Sequence, residues 1–300
     1  MTAWQTTVRL LAFPGLLYAV PAAFWFSWLH RKINARLQGR IGPPPFQPFF
    51  DVVKLAAKRP VPRPPGQALV MTLLPVGAVT ATLAAIVLLP VLPGWTGFPG
   101  DLILLVALIE VGPVLGVLAG YASRSLWGAL GSSREAVLTV AHNLPFLTGV
   151  VALAQANGFS LHAVATGGPL AVRILAVIAI LTCLPVKLHL NPFSVATAEQ
   201  EIYAGIGTEY DGPRLALWEL AHGLEWVALT GLVAVLAFPV TLAWYWHVLA
   251  FVTLSLAVVG LLAVVAAATA RFTLGQATRQ FTVWGFGLAL SAFGLALAGS

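Results

Sequence analysis

The chain has 300 residues, of which 59% are hydrophobic and only 9% are charged; its net charge is +6 and its mean hydropathy is +0.90. A water-soluble domain carries about 25% charged residues, so a soluble fold of this length would lack the charges to cover its surface. The composition therefore predicts an integral membrane protein and excludes an ordinary soluble domain.

Apolar runs of about 20 residues, the length that crosses a bilayer as a helix, recur along the chain. They predict eight transmembrane helices, at residues 8–29, 68–93, 101–121, 136–156, 171–190, 215–237, 241–268 and 281–299. If the short turn around Pro239 is misread, the count falls to seven. The first span is too long for a cleavable signal peptide and is followed by basic residues. Without an internal repeat or linker, the chain is predicted to be an all-α, single polytopic membrane domain over residues 1–300.

The distribution of Lys and Arg predicts the orientation, because cytoplasmic loops carry an excess of both. All of the 16 basic residues except Arg9 and Arg173 follow the first, third, fifth or seventh span. This pattern predicts an outside N-terminus in the inner (cell) membrane of a prokaryote, with cytoplasmic loops at 31–67, 122–135, 187–214 and 269–280. Charges spread over several loops without interleaved aromatic residues do not favour nucleic-acid binding.

The first of these loops contains RLQGRIGPPPFQPFFDVVKL at residues 36–55. Its apolar side chains have the i, i+3, i+4, i+7 spacing of one helix face, at Phe46, Phe49, Phe50 and Val53. Polar residues occupy another face, at Asp51, Lys54 and Lys58. The pattern predicts a short amphipathic helix in the membrane interface, either an ordinary surface helix or a rigid platform for a soluble partner.

Acidic residues concentrate in the third predicted loop, although the whole chain has only ten. The cluster consists of Glu199, Glu201, Glu209 and Asp211. It indicates a solvated loop face, a docking surface for a basic patch, or the mouth of a proton path.

The sixth span carries Glu219, His222 and Glu225 at i, i+3, i+6, which places them on one winding stripe about 9 Å long. The third span carries Glu110, just before a Gly and a Pro that would bend the helix. Ionisable groups at membrane depth are typical of proton or ion pathways. A hydrogen bond from a neighbouring helix would also explain Glu110.

No pattern indicates catalysis or a bound cofactor. Cys183 is the one cysteine, no Cys/His cluster has metal-ligand spacing, and no glycine-rich nucleotide loop occurs. The chain is therefore expected to be non-catalytic by itself. The cluster His30, Arg31 and Lys32 is expected to anchor the chain at headgroup level. Four tryptophans are expected in an interfacial belt: Trp25, Trp28, Trp244 and Trp246. Trp218 and Trp226 are expected to line the stripe of ionisable residues on the sixth span.

Four segments together resemble the membrane-anchor subunit shared by respiratory complex I (an NADH-quinone oxidoreductase) and the energy-converting group 4 nickel–iron hydrogenases. They are RLQGRIGPPPFQPFFDVVKL, GSSREAVLTVAHNLP, PFSVATAEQEIYAGIGTEYDGPRLAL and ARFTLGQATRQF. GPP followed by QP, together with GSSRE, favours the hydrogenase-type branch, which includes formate hydrogenlyase-like complexes.

This resemblance implies a subunit that holds a soluble redox arm, made of an iron–sulfur small subunit and a large catalytic subunit, beside antiporter-like membrane subunits. An iron–sulfur cluster and a nickel–iron site or quinone are then expected in or near those partners. The implied docking residues are Arg36, Arg40, Asp51, Lys54, Lys58, Arg134, Glu135 and Arg214. The proton-relay candidates are Glu110, His142, Glu199, Glu201, Glu209, Glu219, His222 and Glu225.

Several positions depart from the family pattern. Ser194 and Thr197 stand where an Asp and a Glu are usual, and Asn143 stands nine residues after Arg134 where the family places a Glu. Asn cannot carry a proton by changing its charge, whereas a neighbouring His such as His142 or His189 can.

The residues therefore leave two expectations: a subunit coupling electron transfer to proton translocation, or a structural anchor of the same complex without ion translocation. A small secondary transporter is disfavoured, because the sequence lacks a repeated half.

Overall fold

The computed structural model describes residues 11–91, 97–202, 205–237 and 244–299, and all regular secondary structure within them is helical. Within these ranges, seven helices are long and apolar enough to cross a membrane. They are α3 (Pro65–Leu88), α4 (Asp101–Ala122), α5 (Leu126–Asn157), α7 (Leu170–Lys187), α10 (Gly212–Ala237), α11 (Trp244–Ala268) and a last helix over Leu274–Ala298. The prediction of an all-α integral membrane protein is confirmed, while the hairpin at Pro239 lies outside the described residues.

The first helix, α1 (Leu16–Leu37), is not among these seven. It packs within the bundle against α10 and α11, but it runs eight residues past the predicted end of its span into a charged segment. The interfacial helix α2 (Gln47–Ala56) forms as predicted; it exposes Phe49 and Phe50 and buries Pro48. Shorter helices are α6 (Leu161–Thr166), α8 (Glu199–Ile202) and α9 (Ile206–Glu209).

Helix α10 lies at the centre of the bundle. It packs against α1, α2, α3, α7 and α11, and most of its residues are buried, Leu224 and Trp226 among them. Most of the sixth predicted span is therefore surrounded by protein rather than by lipid.

The predicted loop 122–135 is mostly helix, which corrects the expected boundary. Helix α5 begins at Leu126, where the Ser125 side chain accepts a hydrogen bond from the Trp127 amide at 3.2 Å. Its 32 residues span about 48 Å, more than the roughly 30 Å hydrocarbon core. Glycines in this region permit close packing: a Cβ on Gly120 would lie 2.5 Å from the Gly128 carbonyl oxygen.

The last helix also begins earlier than predicted. It consists of α12 (Leu274–Arg279), a π-helical segment over Gln280–Gly285 and α13 (Phe286–Ala298). Thr273 and Gln276 form a capping box, so a start signal was present in the sequence.

Two loop segments meet at one end of the bundle and form a surface that we call the loop face, defined by residues 38–64, 188–202 and 205–211. The Asp211 carboxylate accepts a hydrogen bond from the Val61 amide, and Arg63 donates to the Glu209 carbonyl at 2.6 Å. Gly205, at φ +56°, lies against α5, where a Cβ would come within 2.8 Å of the Ala196 carbonyl oxygen. These contacts fix the acidic loop over the end of the bundle.

Candidate functional site

A cavity of about 630 Å³, lined by both apolar and ionisable side chains, lies beneath the loop face. Its walls come from α1, α2, α4, α10 and the chain that follows α7. Its ionisable lining residues are His30, Arg31, Asp51, Glu135, Lys187, His189, Glu219, His222 and Glu225. Ionisable groups predicted in separate loops and spans thus meet around one cavity.

The stripe on α10 faces this cavity. Glu219 is exposed near its mouth, and His222 Nδ1 lies 3.5 Å from the Glu225 carboxylate. Glu225 is the more enclosed of the two acids, and its oxygen occupies the space beside Gly112, where a Cβ would be only 2.5 Å away. A glycine in α4 therefore makes room for a carboxylate on α10.

His189 joins this group from the other wall. Its Nε2 lies 3.2 Å from the Glu135 carboxylate, and its ring stacks on that of His222 with centroids 5.8 Å apart. Burial disfavours the charged imidazole, but the charge and hydrogen bond of Glu135, with the charge of Glu225, outweigh burial and raise the His189 pKa to about 9. His189 is therefore protonated at neutral pH.

Deeper in the bundle, three side chains form what we call the buried triad, Glu110, Asn143 and Lys187. Lys187 Nζ lies 2.5 Å from one Glu110 oxygen and 3.3 Å from the Asn143 side-chain oxygen, while the Asn143 amide donates to the other Glu110 oxygen at 3.0 Å. The Lys187 side chain is 1% exposed and lies 4.3 Å from the centre of the Phe146 ring. The triad pairs a buried acid with a buried base through a neutral amide.

Only a small space separates the α10 stripe from the triad. Lys187 and Glu225 both line a second cavity of about 10 Å³, which also touches Thr82 and Pro113. This is near the lower limit for one water molecule. Glu225 of the α10 stripe and Lys187 of the triad thus line both the small and the large cavity.

The remaining relay candidates lie elsewhere. Glu201 is exposed and pairs with Arg134 at 2.5 Å, and Glu209 lies in α9 on the loop face. The side chain of Glu199 lies outside the described residues. His142 is fully buried in α5 and does not line the large cavity.

Ser194 and Thr197, two of the residues that depart from the family pattern, lie at or near the loop face. The Ser194 hydroxyl accepts from Arg271 Nε at 3.1 Å and lies 2.6 Å from the Asn191 side-chain oxygen. Thr197 lines the large cavity. Neither side chain can carry a charge, and Ser194 forms hydrogen bonds instead.

The predicted docking residues divide into two groups. Four cations are exposed on or beside the loop face: Arg36, Arg40, Lys54 and Lys58. Three others bond within the chain: Asp51 pairs with Arg31 at 3.3 Å, Arg134 with Glu201, and Arg214 donates to Thr72 at 3.1 Å. Glu135 corrects the expectation of a surface contact: because it lies on a helix rather than in a loop, it points into the bundle and is 4% exposed.

Sequence reasoning missed the roles of Lys187 and His30. Lys187 counted only as a charge of the predicted cytoplasmic loop 187–214, although it is the last residue of α7. His30 was expected at headgroup level, but its ring packs 4.8 Å from that of Trp226 inside the cavity wall. The only available signal was position: both stand next to apolar spans.

Within the described residues, no group of three or more His, Cys, Asp or Glu side chains could hold a metal ion. The site is therefore a set of protonatable groups in and below one cavity.

Comparisons with known proteins give the family. The NADH dehydrogenase family matches residues 11–298. The chain is 30% identical over 223 residues to hydrogenase-4 component C of Escherichia coli K12, with 71% of this chain and 70% of the relative covered. It is also 30% identical over 241 residues to a subunit of the NADH-quinone oxidoreductase of Syntrophobacter fumaroxidans, with 71% of each covered.

Among solved structures, the chain is similar to one in the membrane-bound sulfane sulfur reductase, an archaeal respiratory membrane complex. The TM-score is 0.87 at 25% identity, and the match covers 97% of this chain and 99% of the other. The chain therefore belongs to the NADH dehydrogenase family and is a membrane subunit of the complex I and hydrogenase type.

Proposed function

We propose that this subunit seats a soluble redox arm on the cytoplasmic side of the cell membrane and couples its electron transfer to proton movement. The observation that carries the proposal is the run of ionisable side chains from the loop face, through the large cavity, to the buried triad. A purely mechanical anchor has no need for charged groups at this depth, where they are costly.

The exposed cations of the loop face are the docking element. Positive residues on this side favour a cytoplasmic orientation. Lys54 is exposed on α2, and Lys58 is exposed just beyond the end of that helix. We assign the iron–sulfur small subunit to this surface, with the large catalytic subunit beyond it and antiporter-like subunits beside the bundle. An iron–sulfur cluster, a nickel–iron site or quinone would belong in or near those partners.

Charge reversal tests docking. We expect the double variant Lys54→Glu, Lys58→Glu to lose the soluble subunits during purification in mild detergent, because like charges then face the partner. Arg124→Glu is the matched control, since Arg124 is exposed but was not assigned to docking. Equal recovery of the soluble subunits with both variants would contradict the assignment.

In the coupling role, protons enter at the cavity and occupy the groups around Glu225. Glu135 holds His189 in its charged form, and the stacked ring of His222 lies between that charge and Glu225. A redox event in a partner above the cavity would change the local field and so the protonation of these groups.

The second candidate is a structural anchor that moves no ions, and the buried triad is the observation that favours it. Asn143 cannot titrate, and Lys187 holds Glu110 in an ion pair, so the route beyond Glu225 would be closed. The candidates differ in one result: Glu225→Gln lowers ion movement per electron only in a coupling subunit.

A further inference from the structure

Helix α5 carries a line of polar side chains, of which only Glu135 lines the large cavity. Ser132, Glu135, Thr139 and His142, which we call the polar stripe, follow one another at spacings of three, four and three residues. Such spacing keeps all four within one face of a helix over about 15 Å. The stripe begins near the loop face and ends beside Asn143 of the buried triad.

Three of these side chains are buried and Thr139 is half-buried, and several of their polar atoms have no protein partner. Ser132 and His142 are fully buried, and Glu135 is 4% exposed. Within the described part of the chain, Ser132 Oγ, Thr139 Oγ1 and His142 Nε2 are buried atoms without a hydrogen-bond partner. Buried polar atoms normally have a partner, and where the protein supplies none, ordered water does. Three along one stripe indicate a line of hydration sites.

The helix around His142 adds further polar atoms. Pro145 has no amide hydrogen, so the Ala141 carbonyl loses its usual helical donor next to His142. The π-helical segment of the last helix packs here, with the Phe281 ring 6.2 Å from that of His142. π-helical turns are frequent at functional sites.

We propose that water bound along the polar stripe forms a proton-conducting file from the Glu135–His189 pair to His142. The proposal rests on the coupling role and deepens it by naming a route. Adjacent members are separated by about 4.5–6 Å along the helix axis, a gap that one or two water molecules bridge.

His142 is the proton-holding end of this file. Its Nδ1 lies 2.7 Å from the Leu138 carbonyl oxygen, which can only accept, so Nδ1 carries a hydrogen. The neutral ring therefore presents a lone pair at Nε2, which can take a proton from water and later return it. The transfer moves one proton and changes no other bond.

This route gives a physical reading of Asn143. The amide cannot carry a proton, but the adjacent residue His142 can, and it reaches the loop face along the stripe without passing through the Glu110–Lys187 pair. The relay function would then have moved by one residue on the same helix.

Thr139→Val tests conduction, because it removes the hydroxyl and keeps the side-chain shape. In the assembled complex in sealed vesicles, we expect ions moved per electron to fall about tenfold or more, since a positioned proton-transfer group contributes about 10²–10⁴-fold. Assembly and electron transfer should be unchanged. Thr230→Val is the matched control: Thr230 is also fully buried, but its hydroxyl already donates to the Trp226 carbonyl at 2.6 Å. Equal ion movement in both variants would overturn the file.

Hydration can be measured independently of ion movement by X-ray-generated hydroxyl radicals, which modify side chains that touch water. We expect oxidation of His142 in the complex to be well above that of Phe251, a buried ring in an aromatic cluster. Oxidation no faster than that of Phe251 would overturn the proposal. If the native complex moves no ions, the coupling role fails, and the labelling result still decides whether the stripe is hydrated.

Discussion

Removing Lys187 should destabilise the bundle far more than removing an exposed cation. Lys187→Met leaves the Glu110 carboxylate without its ion pair, and breaking a buried pair in this way costs about 3–5 kcal/mol. Because the Glu110 side chain keeps 17% exposure, we expect about 3 kcal/mol. Glu110→Gln leaves Lys187 charged at 1% exposure, with Asn143 and the Phe146 ring as its remaining contacts, so its cost should lie nearer the upper limit.

The double variant Lys187→Met, Glu110→Gln removes both charges and should cost much less than the sum. We expect a coupling energy of at least about 2 kcal/mol in a double-mutant cycle, measured by unfolding in mixed detergent micelles. The pair Arg134 and Glu201 is the matched control: its 2.5 Å separation is the same, but the side chains are 28% and 51% exposed. That pair should couple by less than about 1 kcal/mol. Equal coupling in the two cycles would refute the buried triad.

Two further predictions concern the loop face. Glu135→Gln should lower the His189 pKa from about 9 towards its ordinary 6.5, as followed by NMR of the labelled ring; an unchanged pKa would show that Glu135 is not its partner. Because folding raises the His189 pKa, protonated His189 stabilises the fold fully below pH 6.5, and this stabilisation disappears as the pH rises past about 9. The thermal stability of the native chain should therefore fall between pH 6.5 and 9, and that of Glu135→Gln should fall less. Gly205→Ala should destabilise the acidic loop by about 1–2 kcal/mol and speed its proteolysis, because φ is +56° and the new Cβ meets backbone. Gly116→Ala is the control and should not speed proteolysis of the loop, because no atom lies within 4 Å of its Cβ position. Equal proteolysis of the two variants would contradict the close packing of Gly205.

The hydrophobic pattern was sufficient to predict most of the fold. Spans such as 101–121 match their helices closely, because lipid requires a continuous apolar helix of defined length. The interfacial helix α2 was also predicted, since its apolar spacing is local information.

Helix ends outside the apolar spans were predicted poorly. The start of α5 was placed ten residues late, because Gly128 and Gly131 resemble loop residues while they serve packing against α4 and the acidic loop. Packing partners of that kind are distant in sequence and leave no local signal.

The candidate site was only half predictable. The α10 stripe followed from its spacing, but the buried triad joins residues 33 and 77 positions apart, which no local pattern reports. The burial of Glu135 likewise depends on the rotation of a helix that was read as a loop. Charged residues at span boundaries are therefore the positions where sequence reasoning about this chain was weakest.

The most direct test of the coupling account is the number of ions moved per electron transferred by the complex in sealed vesicles, compared between the native chain and Glu225→Gln. We predict that the native complex moves ions during turnover and that the variant loses most of this movement while retaining its soluble subunits and its electron-transfer rate. Unchanged ion movement in the variant would contradict the account, and the chain would then be a structural anchor.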